Sequence, residues 1–287
     1  KLSFALFFYN FCLLYMFGFI MRLPCKAVSQ GVFFCYNESM NICLFSQEEY
    51  GAPLPCRDER AQHIIKVLHK GVGDTFAAGI INGAAGIARI TGIDDAGISY
   101  LFEPTSDGKP LHPLKMIIGF PRPIQLKRLL RDVAAIGASE VHLTGTELGE
   151  KSYMQSNMAE RGTAYQMLVD GTVQAAGTRV PELFLHKTLK ECVQSVCGTS
   201  SDPADMLKLC MDNVNPAGTL VSVLNEKKGK ESVVAAIGSE RGWTQNERDF
   251  LEQSGFVRCG MGNRVMRTET AATVSAGVIC AYMGWLE

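Results

Sequence analysis

Apolar and polar positions change their rhythm once along this chain. From Met40 to about Glu103 the apolar runs are short: Thr75–Ile81, Gly86–Ile93 and Gly97–Phe102. Asn82-Gly83 and Asp94-Asp95 separate them, and both pairs are turn formers. A strand-like pattern begins at Met40-Asn-Ile-Cys-Leu-Phe, and one helix is expected around Arg60–His69. Short strands joined by tight turns predict a small barrel over residues 40–104. Pro104-Thr-Ser-Asp-Gly-Lys-Pro110 then reads as a linker.

After Pro110 strands and helices alternate through residues 110–287. Lys115–Phe120 has the composition of a buried strand, Ile124–Ile136 of an amphipathic helix and Glu140–Leu143 of a second strand. A long helix over Arg161–Ala175, a strand over Glu182–Leu185 and a helix from His186 follow. Strands are expected at Thr219–Leu224 and Val233–Ile237, with helices opening near Gln245 and spanning Thr270–Met283. This alternation predicts an α/β fold, a mostly parallel sheet covered on both faces. Ligands in such sheets sit at the carboxyl ends of strands.

Composition narrows the picture little. With 287 residues the chain is long enough for two domains, and 47% hydrophobic against 20% charged residues describes a folded protein. A net charge of −1 requires any nucleic-acid surface to be local. Ten cysteines show no C-x-x-C spacing, which argues against a zinc site and against a disulfide framework. Residues 1–39 stand apart as a leader of uncertain origin. Leu2–Ile20 is apolar, uncharged and about long enough to span a bilayer. Yet the chain opens on Lys1, and Met21 and Met40 offer alternative starts. Both a membrane anchor and a misassigned start stay open.

Two glycine-bearing stretches imitate phosphate loops. Gly145-Thr-Glu-Leu-Gly149-Glu150-Lys151-Ser152 has Glu150 between glycine and lysine, where a carboxylate would repel phosphate. Gly79-Ile-Ile-Asn-Gly83-Ala-Ala-Gly86 lacks a following long helix, so a hairpin turn explains it better. Two later loops hold more chemistry. Gly238-Ser-Glu-Arg-Gly242-Trp-Thr follows an apolar strand; its plain reading is a strand-to-helix turn with Thr244 as N-cap and Glu247 closing a capping box. Cys259-Gly-Met-Gly262-Asn-Arg264-Val-Met-Arg267-Thr-Glu269-Thr-Ala leads into the last helix. Arg264 and Arg267 at a helix N-terminus oppose the helix dipole, which points to a functional reason for them.

These segments resemble the signature of the small-subunit rRNA methyltransferase E family. There the first loop usually reads Gly-Pro-Glu-Gly-Gly and the second Leu-Gly-x-Arg-Ile-Leu-Arg-Thr-Glu-Thr-Ala. Ser239 and Arg241 replace the usual proline and glycine. His63-Ile-Ile-Lys-Val-Leu-His-Lys-Gly-Val-Gly-Asp74 is similar to the family's N-terminal helix-turn, with His69 where arginine is usual. Gln174-Ala-Ala-Gly-Thr-Arg-Val-Pro-Glu182 resembles a further stretch. One helix departs: Arg131-Asp-Val-Ala-Ala-Ile-Gly137 replaces a Lys-x-x-Glu-Leu-Gly pattern, and a Thr146-Glu-Leu-Gly149 string appears later instead.

The resemblance implies a PUA-like barrel followed by a trefoil-knotted SPOUT methyltransferase domain. It implies S-adenosylmethionine as methyl donor and N3 of a uridine in small-subunit (16S) ribosomal RNA as acceptor. The substrate would be that RNA, free or in the assembled subunit. The donor site would comprise Leu224, Gly238, Glu240, Gly242, Met261, Gly262, Met266, Arg267, Thr268, Thr270 and Ala271. Catalysis would rest on Arg267, with Arg264 as its alternative or a phosphate anchor, and on Glu269 orienting Arg267 or removing a proton. Lys66, Lys70, Lys127, Arg128 and Arg131, with Lys109 and Lys115, are candidates for an RNA-binding face or simply a solvated charged surface. A cytoplasmic homodimer without a metal is expected. Two other readings stay open: the same fold acting on a different RNA or base, and an RNA-binding protein that has lost methyl transfer.

Overall fold

The computed structural model describes residues 42–155, 161–198, 205–227 and 229–286. The leader and its candidate membrane segment lie outside them. Among the described residues, no helix is long and apolar enough to cross a membrane.

A four-stranded sheet is built from β1 (Cys43–Phe45), β2 (Thr75–Ile80), β3 (Ala85–Ile93) and β4 (Ile98–Ser106), in chain order. β1 runs parallel to β2, and the β2–β3 and β3–β4 pairs are antiparallel. The β2–β3 turn is Asn82-Gly83, as expected, with Asn82 in the left-handed region at φ 58°. Asp58 caps α1 (Glu59–Gln62) by accepting from the Arg60 amide. That helix continues into a π-turn over His63–Val67. Phe45 stacks on Tyr100, and Ile64, Phe76, Ile90 and Ile98 complete this core. The expected linker is partly strand, because Ser106 still pairs with Ala85. The family-like stretch Thr178–Val180 docks on the hairpin: Thr178 Oγ1 donates to the Gly83 carbonyl (2.8 Å) and the Val180 amide to Asn82 Oδ1 (2.8 Å).

The second sheet has seven strands in the order β7-β6-β5-β10-β8-β11-β9 and is parallel throughout. Its strands are β5 (His112–Gly119), β6 (Ala138–Thr144), β7 (Glu182–His186), β8 (Met206–Met211), β9 (Gly218–Thr219), β10 (Ser232–Ile237) and β11 (Val257–Gly260). On one face lie α2 (Pro123–Ile136), α4 (Arg161–Gln174), α6 (Leu220–Glu226) and α8 (Thr268–Tyr282), with Leu130, Leu168, Leu224 and Ile279 in one buried core. The opposite face is covered by α5 (Leu189–Gly198) and α7 (Gln245–Gln253) over Ile117, Val234 and Cys210. A short α3 (Lys151–Met154) precedes α4.

Three expectations are corrected. Thr219–Leu224 is mostly helix, because Thr219 Oγ1 caps α6 by accepting from the Ser222 amide. The helix expected from His186 starts at Leu189, since His186 still pairs with Thr144 and Thr188 provides the first capping hydroxyl. β8 was not anticipated, although Met206-Leu-Lys-Leu-Cys-Met211 is an apolar run of strand length.

Candidate active site

The carboxyl ends of β8 and β10 open into a cavity of about 270 Å³. Its floor is Met211, Ile237 and Trp243; its walls include Glu240, Met261 and Met266. The turn after β10 closes by a Gly242 amide bond to the Ser239 carbonyl (2.9 Å), with Gly242 at φ 72° where a side chain would be strained. Thr244 then caps α7 in a complete capping box with Glu247, the plain reading of this loop. That reading and a ligand role are compatible, since the cap leaves the turn's backbone facing the cavity.

The second loop meets the first at one hydrogen bond: Thr268 Oγ1 donates to the Gly238 carbonyl, 3.2 Å, in a buried position. Segments thirty residues apart in sequence thereby share a wall. Gly238, Glu240, Gly242, Met261, Met266, Thr268 and Ala271 all line the cavity. Gly262 and Thr270 flank it and are exposed. Leu224 does not belong to it. It is buried in α6 and borders a separate cavity with Leu207 and Tyr282, because the helical turn directs its apolar face into the core.

Arg267 is the exposed N-cap residue of α8, and Arg264 is exposed in the loop before it. Val265 between them is 89% exposed. Glu269 is buried in the first turn of α8, where the helix dipole favours a carboxylate.

Several residues at the site carried no local signal in the sequence. Asp212, at the end of β8, accepts from Arg248 of α7 (2.5 Å), and both line the cavity. Trp243 Nε1 donates to the Met211 carbonyl (3.2 Å), fixing the indole across the floor. The loop after β6, dismissed as a phosphate loop, braces the turn after β10. Thr146 Oγ1 donates to Ser239 Oγ (2.9 Å), and the Glu147 amide donates to Glu247 Oε1 (2.8 Å). Thr244 Oγ1 donates to Glu147 Oε2 (2.6 Å). Gly119 lies between these loops; a Cβ there would sit 2.5 Å from the Ser239 nitrogen. Arg122 pairs with Glu240 at 3.2 Å on the rim. Burial pushes the nearby Cys259 thiol up to about 12, so it stays protonated and unreactive.

The candidate RNA cations are dispersed. Lys66 is exposed and Lys70 half-buried beside the four-stranded sheet, while Lys127 and Arg128 are exposed on α2. Arg131 is engaged by Asp170 of α4 at 2.5 Å, and Lys115 by Glu140 at 2.8 Å. A guanidinium held this way braces α2 against α4, so Arg131 is not available as a free cation.

Comparison with known proteins agrees with this geometry. The RNA methyltransferase domain family matches residues 108–280. The chain is 42% identical to ribosomal RNA small subunit methyltransferase E of Treponema pallidum, over 84% of this chain and 91% of that protein. It is 28% identical to ribosomal RNA small subunit methyltransferase E 1 of Borreliella burgdorferi, over 84% and 98%. In fold it is similar to a probable rRNA-methyltransferase of Porphyromonas gingivalis (TM-score 0.70, 18% identity, 86% of this chain and 100% of that one). A second likeness is to ribosomal RNA small subunit methyltransferase E of Neisseria gonorrhoeae, solved bound to S-adenosyl methionine (TM-score 0.66, 18% identity, 84% and 97%). With a sequence relative of this identity and a domain match covering both cavity loops, the chain belongs to the ribosomal RNA small subunit methyltransferase E family.

Proposed function

We propose that this protein transfers a methyl group from S-adenosylmethionine to N3 of a uridine in small-subunit ribosomal RNA. The observation that carries the proposal is the cavity at which the Gly238–Gly242 turn and the Met261–Ala271 segment meet. Its lining fits the donor: turn backbone for adenine edges, Met261, Met266 and Ala271 as apolar walls, and Glu240 as a carboxylate beside a cationic sulfonium. Its volume of about 270 Å³ lies just below the small-molecule range of roughly 300–1,000 Å³. The donor supplies an electrophilic methyl group. The remaining work falls to the chain's own residues.

Uracil N3 is only weakly acidic and must still give up its proton, to solvent, as the methyl group arrives, so negative charge develops on the ring oxygens. Arg267, exposed next to cavity-lining Thr268, would stabilise that charge. Arg264, on the same loop, would hold an RNA phosphate. Glu269 is buried, which favours orienting the start of α8 and Arg267 over carrying a proton to solvent. Lys66, Lys70, Lys127 and Arg128 would contact the RNA backbone.

The trefoil knot and PUA-like barrel belong to this proposal. In support, the chain leaving β11 returns to pack α8 against β5, β10 and α2, and the four-stranded sheet with its π-turn encloses a core of its own. A homodimer in the cytoplasm completes the reading, with exposed Ile124 of α2 and Val274 of α8 offering apolar surface.

The test is loss of 3-methyluridine from small-subunit rRNA on deletion of the gene and its return on complementation. Arg267→Ala is expected to lower turnover about 10²–10³-fold while leaving titration with S-adenosylhomocysteine nearly unchanged. Unaltered turnover would remove Arg267 from the mechanism. Return of growth without 3-methyluridine would favour an RNA-binding role instead.

A further inference from the structure

On the face of the large sheet opposite α2 lies a cluster that methyl transfer does not use. His142 sits in the middle of an otherwise apolar row, Phe184–His142–Ile117–Ala236–Cys210, running across five strands. It is 1% exposed. His186, two residues beyond Phe184 on β7, brings its Nε2 to 3.0 Å from His142 Nδ1. Cys192 descends onto the same spot from α5 and is fully buried. One nitrogen from each histidine and the Cys192 sulfur all lie within 4.8 Å of one another. The other nitrogen of His142, Nε2, is 2.8 Å from Glu140 Oε2, and Lys115 anchors that carboxylate at 2.8 Å.

We propose that His142, His186 and Cys192 bind a borderline-soft d-block cation such as Zn²⁺, with Glu140 as the carboxylate behind His142. Two imidazoles and one thiolate match that class of ion, whereas hard cations select oxygen ligands. The Glu140–His142 contact is the arrangement that fixes tautomer and ring orientation in histidine ligands: a carboxylate holds one ring nitrogen and the other faces the ion. Bond lengths of about 2.0–2.1 Å to nitrogen and 2.3 Å to sulfur require Cys192 Sγ to close on the pair by about 1 Å. Water takes the fourth position from the side of half-exposed His186.

Without an ion the two imidazoles and Glu140 form a hydrogen-bond chain, satisfied by the tautomers in which His186 donates to His142 and His142 to Glu140. Binding exchanges the His186–His142 bond for two metal bonds, the Nε2 proton of His186 passing by way of water to its Nδ1 so that Nε2 is free to ligate. It also takes the thiol proton of Cys192, because the thiolate is the form that binds the ion, so one proton leaves per ion bound. The ion would tie β6, β7 and α5 together just before the loop at Thr146 that braces Ser239. Regular cysteine spacing is no guide to such a site, because its ligands come from two strands and a helix.

The experiment uses untagged full-length protein, stripped with chelator and titrated with Co²⁺ and Zn²⁺. Expected are one equivalent bound, a thiolate-to-cobalt charge-transfer band, and release of one proton. The band should vanish in Cys192→Ser; affinity should fall by more than about tenfold in His186→Gln, which removes a ligand, and by about 10–100-fold in Glu140→Gln, the range for a lost outer-shell partner. His186→Gln keeps the test decisive if Cys192→Ser folds poorly, because position 186 is only half-buried. No binding by the folded wild-type protein would overturn the site. So would binding without a thiolate band, or binding unchanged in His186→Gln.

Discussion

The two sheets hide their residues by different rules. In β3 and β4 buried and exposed positions alternate: Ala88 and Ile90 are enclosed, while Ile87 is 48% and Leu101 56% exposed. In β10, Val233 to Ile237 are buried without interruption. An antiparallel sheet can keep one face in water, whereas a parallel sheet covered by helices cannot. A strand enclosed on both faces has only its ends to offer to a ligand. That is why the cavity forms beyond Met211 and Ile237 and why the residues shaping it lie on turns. In the four-stranded sheet, Ile87 and Leu101 leave part of one face in water.

This contrast is open to direct attack. The largest effect is expected from Ile90→Ala, which empties the core of the small sheet. Stability should drop by about 2–5 kcal/mol in urea unfolding, with S-adenosylhomocysteine affinity unchanged in the folded protein. A matching loss of affinity would show that the sheets do not divide the labour. Gly119→Val attacks the other side, since its Cβ would strike the Ser239 nitrogen and Thr146. Overpacking of about 1–3 kcal/mol should appear as affinity for the same ligand weakened about tenfold or more. Full-strength binding would mean that the Gly238–Gly242 turn is not part of the donor site.

Thr244→Ala removes the capping box of α7 and the bond to Glu147. A loss of about 1 kcal/mol is expected, seen as a lower urea midpoint and a modest weakening of binding. The smallest effect concerns pH. Burial depresses the pKa of His186 below its ordinary 6.5, and His142 adds to this; burial alone depresses that of His112. The unfolded chain therefore takes up protons first on acidification. This contribution is complete above the ordinary value and is lost as pH falls through the depressed folded ones. Urea midpoints of metal-free protein should fall between pH about 8 and about 5.5, less so in His186→Gln. A flat profile would contradict the burial of these rings.

Much of the site was readable because its signal is local. Gly238–Gly242 and Met261–Ala271 are contiguous strings, and Gly238, Gly242, Met261, Met266, Thr268 and Ala271 from them line one cavity. Asp212 and Arg248 were unreadable, since an ion pair between a strand end and a helix leaves no spacing in sequence. Thr146 and Glu147 were misjudged for the same reason: their partners lie 93 to 100 residues away. Leu224 was misplaced because an apolar residue suits a core and a ligand wall equally. Arg131 was counted as free because Asp170, its partner, is 39 positions distant.

Local chemistry determined what the sequence alone could settle. Alternation against continuous burial separates the two sheets, turn formers such as Asn82-Gly83 place connections, and the Thr244–Glu247 capping box starts α7. Tertiary structure decided which strand ends adjoin, which loops brace one another and which charges are already paired. Those outcomes depend on distances between residues remote in the chain. No periodicity encodes them; they exist only once the parallel strands have been assembled in their order.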